Sequence, residues 1–383
     1  MHDRHSPAAV PAARHRRKRP WTMTSVIRTS SPCRKPIQWE PVCRLALTLV
    51  LLTGPSAASH ARTDLPPVFD DSEIVVTHYP DWFKPSFLDL RADLDEALRA
   101  DRRGLLLFFE TDGCAYCAAF VKDVFGDPSL RDNLRAHFDV VGLDIFQDDE
   151  LTDFAGQTMP VKVFAKREGA IASPTLVFYG RGGERMLRVV GYQPRERFRR
   201  MLAYVTGGHY RTESFRAFSA RQKPPPNVDG GDRLASDPLF AEPPHLLDRR
   251  IPADRPLLVV FERRGCEACR ALHDHVLAHP PVRELLQRFE VVRLDADDDR
   301  TPVLTPRGER SSPAGWVETL DIAGTPALVF FSKDGSEVLR FESLVLRQRM
   351  ERALMYVLDG AYRDGTTFQR FTRAKSIESL AGE

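Results

Sequence analysis

Cysteine is scarce in this chain, with six in 383 residues. Two of them, Cys33 and Cys43, fall in a leader that is expected to be removed. The other four form two Cys-x-x-Cys pairs, Cys114/Cys117 and Cys266/Cys269, and none is left for a structural staple. That excludes the disulfide-stapled scaffold an exported chain often uses. No histidine follows either pair directly, since Ala118 and Arg270 stand there, which excludes a c-type haem attachment. A bilayer-spanning run is lacking too, because Leu45–Leu52 is far short of the roughly 20 residues required. No phosphate loop, Ser/His/Asp set or pair of catalytic carboxylates stands above background. A charge excess of one sign is also missing. The formal +2 comes from the first 61 residues, which hold ten Lys and Arg against Asp3 and Glu40. Without them 45 basic residues face 51 acidic ones, a formal charge of −6, so no nucleic-acid or anionic-membrane surface is indicated.

What is present begins with that leader. Its basic region, the apolar run Leu45–Leu52 and the small residues of Ser59-His60-Ala61 read as a secretory signal peptide over 1–61, cleaved after Ala61. Met23 offers an alternative start that leaves a leader of ordinary length. The expected location is therefore periplasmic or otherwise exported. With 42% hydrophobic residues the chain can bury ordinary cores, and its length suits two or three domains.

The stretch Leu105–Cys117, LLLFFETDGCAYC, runs from a buried-looking strand through a polar turn to two cysteines at the start of a helix. Leu257–Cys269, LLVVFERRGCEAC, repeats it 152 residues later. Ser173–Phe178 returns at the same offset as Thr325–Phe330, and Gly208 and Tyr210 return as Gly360 and Tyr362. Chance does not hold register over such a length, so the chain contains two copies of one domain. The first copy is expected over 62–220, a Pro/Gly-rich linker over 221–250, and the second copy over 251–383. Within each copy the order is β-α-β, then β-β-α, an α/β fold with a mixed central sheet flanked by helices. The segment around Tyr79, Trp82, Phe83 and Phe87 is expected to pack on the first copy. Residues 147–163 have no clear period.

A Cys-x-x-Cys at a helix start supports disulfide exchange. The helix N-terminus favours a thiolate on the first cysteine, which attacks a disulfide, and the second resolves the mixed disulfide. Cys114 and Cys266 are the expected nucleophiles, and Cys117 and Cys269 the resolving thiols. Strand, turn and paired cysteines resemble the thioredoxin superfamily, so the chain is read as two tandem thioredoxin-like domains. That resemblance implies cis prolines at Pro174 and Pro326. It also implies that the backbones of Ser173 and Thr325 pair with a bound client. A narrower resemblance, to exported SoxW-type thioredoxin-like proteins, rests on Trp82-Phe83, Gly113–Cys117, Ser173-Pro174 and the closing helix into Gly208 and Tyr210.

The sequence departs from thioredoxin proper in two ways. Gly113 and Gly265 replace its tryptophan, and Phe108 and Val260 stand where its buried aspartate would be. Glu110 and Glu262 are the nearest substitutes but, as polar residues at a strand end, are expected to be solvated. Glu267, between the second pair of cysteines, disfavours ionisation of Cys266, so the second couple is expected to be the more reducing. Cys269 and His273, one helical turn apart, leave zinc as a competing use of the second pair, while a surface position is expected for His273 and His275. No metal or cofactor is assigned. The expected partners are client proteins bearing disulfides or thiols, and a membrane electron donor if the protein reduces them. The alternative is a docking or chaperone-like scaffold with a redox-inactive or zinc-binding second domain.

Overall fold

The computed structural model describes residues 69, 71, 74–222 and 237–381. The expected leader and residues 223–236 of the expected linker lie outside the described residues. All described residues belong to one compact unit that holds both copies. Among them no helix is long and apolar enough to cross a membrane.

The first copy runs α1 (Leu90–Arg99), β1 (Gly104–Glu110), α2 (Ala115–Phe120), α3 (Pro128–His137), β2 (Phe138–Asp144), α4 (Val161–Arg167), β3 (Thr175–Tyr179), β4 (Arg185–Val190), α5 (Arg195–Thr206) and α6 (Phe215–Gln222). Its sheet has the order β2-β1-β3-β4, with β1 parallel to β2 and antiparallel to β3. Every residue of β1 is buried, which explains its unbroken apolar run. Alternation divides those residues between two cores. Leu105, Leu107 and Phe109 face α1 and α4, while Leu106 and Phe108 face the layer of α2, α3 and α5. The uncertain stretch 147–163 forms a small hairpin, Glu150–Thr152 with Thr158–Pro160, before α4.

The second copy repeats the plan with β5 (Leu257–Glu262), α7 (Glu267–Leu272), α8 (Pro280–Leu286), β6 (Glu290–Asp295), α9 (Pro313–Thr319), β7 (Ala327–Phe331), β8 (Glu337–Phe341), α10 (Arg347–Leu358) and α11 (Phe368–Ala381). Its sheet order is β6-β5-β7-β8. The stretch read as linker is shorter than its composition suggests. Asp237 pairs with Arg283, Phe240 is buried, Arg249 pairs with Glu290, and His245–Leu246 adds a strand beside Val303–Leu304. Buried apolar and ionic contacts hold this proline-rich segment to the second domain. In the N-terminal segment Tyr79 stacks on Phe83, and Trp82 meets Phe125, whereas Phe87 is fully exposed.

The two domains share a buried seam. Glu342 N–H donates to Val190 O at 3.1 Å. The Glu342 carboxylate is fully buried, accepts from Ala323 N–H at 3.1 Å, and has Arg340 at 3.6 Å and Arg188 of the first domain at 4.0 Å. Burial pushes that carboxyl upward, and the two arginines oppose the shift.

Candidate active sites

Each β-strand that carries the chemistry ends in a turn whose last residue is glycine. Gly113 has φ +81° and Gly265 φ +66°, the left-handed region that glycine tolerates. A Cβ on Gly113 would also come within 2.9 Å of Ile74 Cγ2. This accounts for glycine where thioredoxin proper has tryptophan.

The turn makes each first cysteine the N-cap of its helix. Cys114 (φ −82°, ψ 99°) accepts from Cys117 N–H at 3.1 Å, and Cys266 (φ −82°, ψ 103°) accepts from Cys269 N–H at 3.1 Å. A donor aimed at sulfur and the helix dipole both stabilise a thiolate there. In each domain the pair is joined as a disulfide. The first cysteine of each pair is the more exposed: Cys114 is 5% exposed against 0% for Cys117, and Cys266 9% against 4% for Cys269. The Ser173–Pro174 and Thr325–Pro326 bonds are cis and sit beside the sulfurs. Ser173 Oγ donates to Cys114 Sγ at 3.5 Å, and Thr325 Oγ1 donates to Cys266 Sγ at 3.8 Å.

Glu110 and Glu262 are not solvated as their strand-end position suggested. They are 8% and 2% exposed, each closed over by a partner. Tyr79, from the segment before α1, donates its hydroxyl to Glu110 Oε1 at 2.9 Å. His273 Nε2 lies 2.7 Å from Glu262 Oε1, so that histidine is half-buried against the glutamate, while His275 is exposed. Among the described residues no cluster of three or more metal-ligating side chains occurs. Burial raises the Glu110 carboxyl from 4.5 to about 7, against the lowering effect of the Tyr79 bond.

That shift has a stability consequence. Between pH 4.5 and 7 the folded chain keeps a proton on Glu110 that the unfolded chain releases, so stability from this group falls as pH rises. The loss reaches up to about 3 kcal/mol above pH 7. Glu110→Gln keeps an acceptor for Tyr79 and is expected to flatten that part of the profile. Urea unfolding at pH 5 and pH 8 checks it, and equal pH slopes for the two proteins would count against a protonated buried Glu110.

The thioredoxin-like domain family matches at residues 90–206 and 245–358, together more than half of the chain. The chain belongs to the thioredoxin-like domain family. Each match begins before the cysteine-bearing strand and ends in the closing helix, so each spans a whole thioredoxin-like domain. Among solved structures, a thioredoxin-fold protein from Helicobacter pylori is 25% identical, with TM-score 0.29, covering 32% of this chain and 80% of its own. A thioredoxin from Thermus thermophilus is 24% identical, with TM-score 0.25, covering 34% and 87%. The reduced C-terminal domain of DsbD from Neisseria meningitidis is 16% identical, with TM-score 0.22, covering 27% and 82%. No curated protein matches the chain. Membership rests on the family match and does not extend to the SoxW-type subset.

A tyrosine and two arginines complete the surroundings of the thioredoxin-like sites. Tyr116, between the first two cysteines, is buried, and the Arg349 guanidinium from α10 of the other domain lies 3.5 Å over its ring. Arg197 of α5 takes the reciprocal place, donating to Glu342 O at 2.9 Å and lying against Gly324 just before Thr325. The two arginines are 152 residues apart, the offset of the repeat. The repeat register therefore held a signal for them.

Proposed function

We propose that this protein is an exported thiol–disulfide oxidoreductase that exchanges disulfides through two separate Cys-x-x-Cys centres. The observation that carries the reading is the N-cap sulfur of Cys114, which accepts a backbone N–H and a Ser173 hydroxyl at once and is repeated at Cys266. Two donors on one sulfur favour the thiolate, the attacking species in exchange. The thiolate of Cys114 attacks a substrate disulfide and releases one thiolate. Cys117 then attacks Cys114 Sγ and releases the second, so two electrons pass from the pair to the substrate.

Export rests on the leader over 1–61. In the reducing direction the protein requires an upstream dithiol donor, and outside the cytoplasm a membrane protein fills that role. The clients are proteins or small molecules bearing disulfides. Glu267, in the first turn of α7 beside Cys266, makes the second couple the more reducing of the two. The test is an exchange assay in which the fully reduced chain is mixed with excess disulfide. Two disulfides reduced per chain is the expected stoichiometry, and none would sink the reading.

A further inference from the structure

The backbone nearest the attacking sulfur of the first domain is already occupied. Ser173 O, beside Cys114 and outside the sheet ladder, accepts from Arg349 Nη1 at 2.8 Å. The same arginine belongs to a tight cluster. Its backbone N–H donates to Asp71 Oδ2 at 2.9 Å, Tyr116 OH donates to that oxygen at 3.0 Å, and Leu346 N–H donates to Tyr116 OH at 2.8 Å. On the other side Ile74–Val75 pairs as a short strand with Gly113–Cys114. An extended segment of a folded protein that presents a disulfide to Cys114 must run along Ser173, because Ser173 Oγ is already within 3.5 Å of the sulfur. Arg349 and the start of α10 stand in that path.

A smaller route remains. A shallow cleft enclosing about 60 Å³ reaches Cys114, with Gly113, Ser173, Arg349, Arg352 and Arg373 among its walls.

We propose that Arg349 is a specificity-determining residue of the Cys114 centre. While the domains are paired, this centre excludes disulfides carried on extended segments of folded proteins and exchanges with small disulfides that reach Cys114 without running along Ser173. This rests on the oxidoreductase reading and narrows its substrate. The reduced Cys114 pair gives two electrons to the disulfide, two small thiolates leave, and a dithiol reductant resets the pair. Protein substrates gain access when α10 leaves Ser173.

The test uses the chain without its leader, and so without Cys33 and Cys43, carrying Cys266→Ser and Cys269→Ser, so that only the Cys114 pair reports. Oxidation of the reduced pair is followed by stopped flow with glutathione disulfide and, separately, with insulin. Two substitutions are added one at a time. Arg349→Ala removes the bond to Ser173 O. Asp321→Lys puts a cation against Arg185 and Arg188 across the domain seam and does not line the Cys114 cleft. The expected result is a rise of about tenfold in the insulin-to-glutathione rate ratio for Arg349→Ala, the population change that loss of one or two net hydrogen bonds carries. A rise with Asp321→Lys as well supports control by domain pairing. An unchanged ratio for Arg349→Ala overturns the assignment, whatever Asp321→Lys does. Absence of exchange with both substrates in every variant overturns the oxidoreductase reading for the Cys114 centre, and the specificity with it.

Discussion

Serine at both Cys114 and Cys266 is expected to lower disulfide exchange by at least about 10³-fold, to the background of the free thiols in the assay. A hydroxyl in place of sulfur keeps the N-cap bond to the helix but does not ionise near neutral pH, so the structure survives while the nucleophile is lost. The single variants separate the two centres. Cys114→Ser leaves the exchange of the second domain, and Cys266→Ser leaves that of the first. Cys117→Ser has a distinct signature. Its Cys114 attacks but nothing resolves the product, so a mixed disulfide with the substrate accumulates and is seen as a mass increase. Full activity in the double variant would leave the scaffold reading in its place.

Phe108→Ala is expected to destabilise the first domain by about 3–5 kcal/mol. Phe108 is fully buried on β1, with ring centroids at 5.4 Å from Phe125, 5.8 Å from Phe120 and 6.2 Å from Phe83. Truncation opens a cavity among rings that belong to strand, helix and N-terminal segment at once. Phe108→Asp restores the residue type of thioredoxin proper at this position and is expected to cost more, because the carboxylate would enter an aromatic core. Guanidinium unfolding followed by circular dichroism measures both. A cost below about 1 kcal/mol for the alanine variant would mean that the cluster is not the core of this domain.

The same ring explains what was legible in the sequence. Unbroken apolar runs at Leu105–Phe109 and Leu257–Phe261, each followed by a glycine and a cysteine pair, disclose both domains, because a strand buried on two faces has no polar positions to confuse the period. Glu110 and Glu262 were not legible in that way. Their burial depends on Tyr79, 31 residues upstream, and on His273 on the helix after the turn. The proline-rich stretch after residue 236 carries the composition of a linker, yet Asp237, Phe240 and Arg249 are bound by residues of the second domain. Arg349 and Arg197 share the repeat offset, but which surface each meets is decided by how the domains face one another. No local pattern records that.

The most direct test of two working redox centres is the reduction potential of each pair in the full chain. Glutathione or dithiothreitol titration can be read by the mass of alkylated thiols. The expected result is two reversible two-electron couples between about −270 and −120 mV, with Cys266/Cys269 the lower of the two. Two pairs that stay oxidised below about −300 mV would be structural staples, and would contradict the assignment.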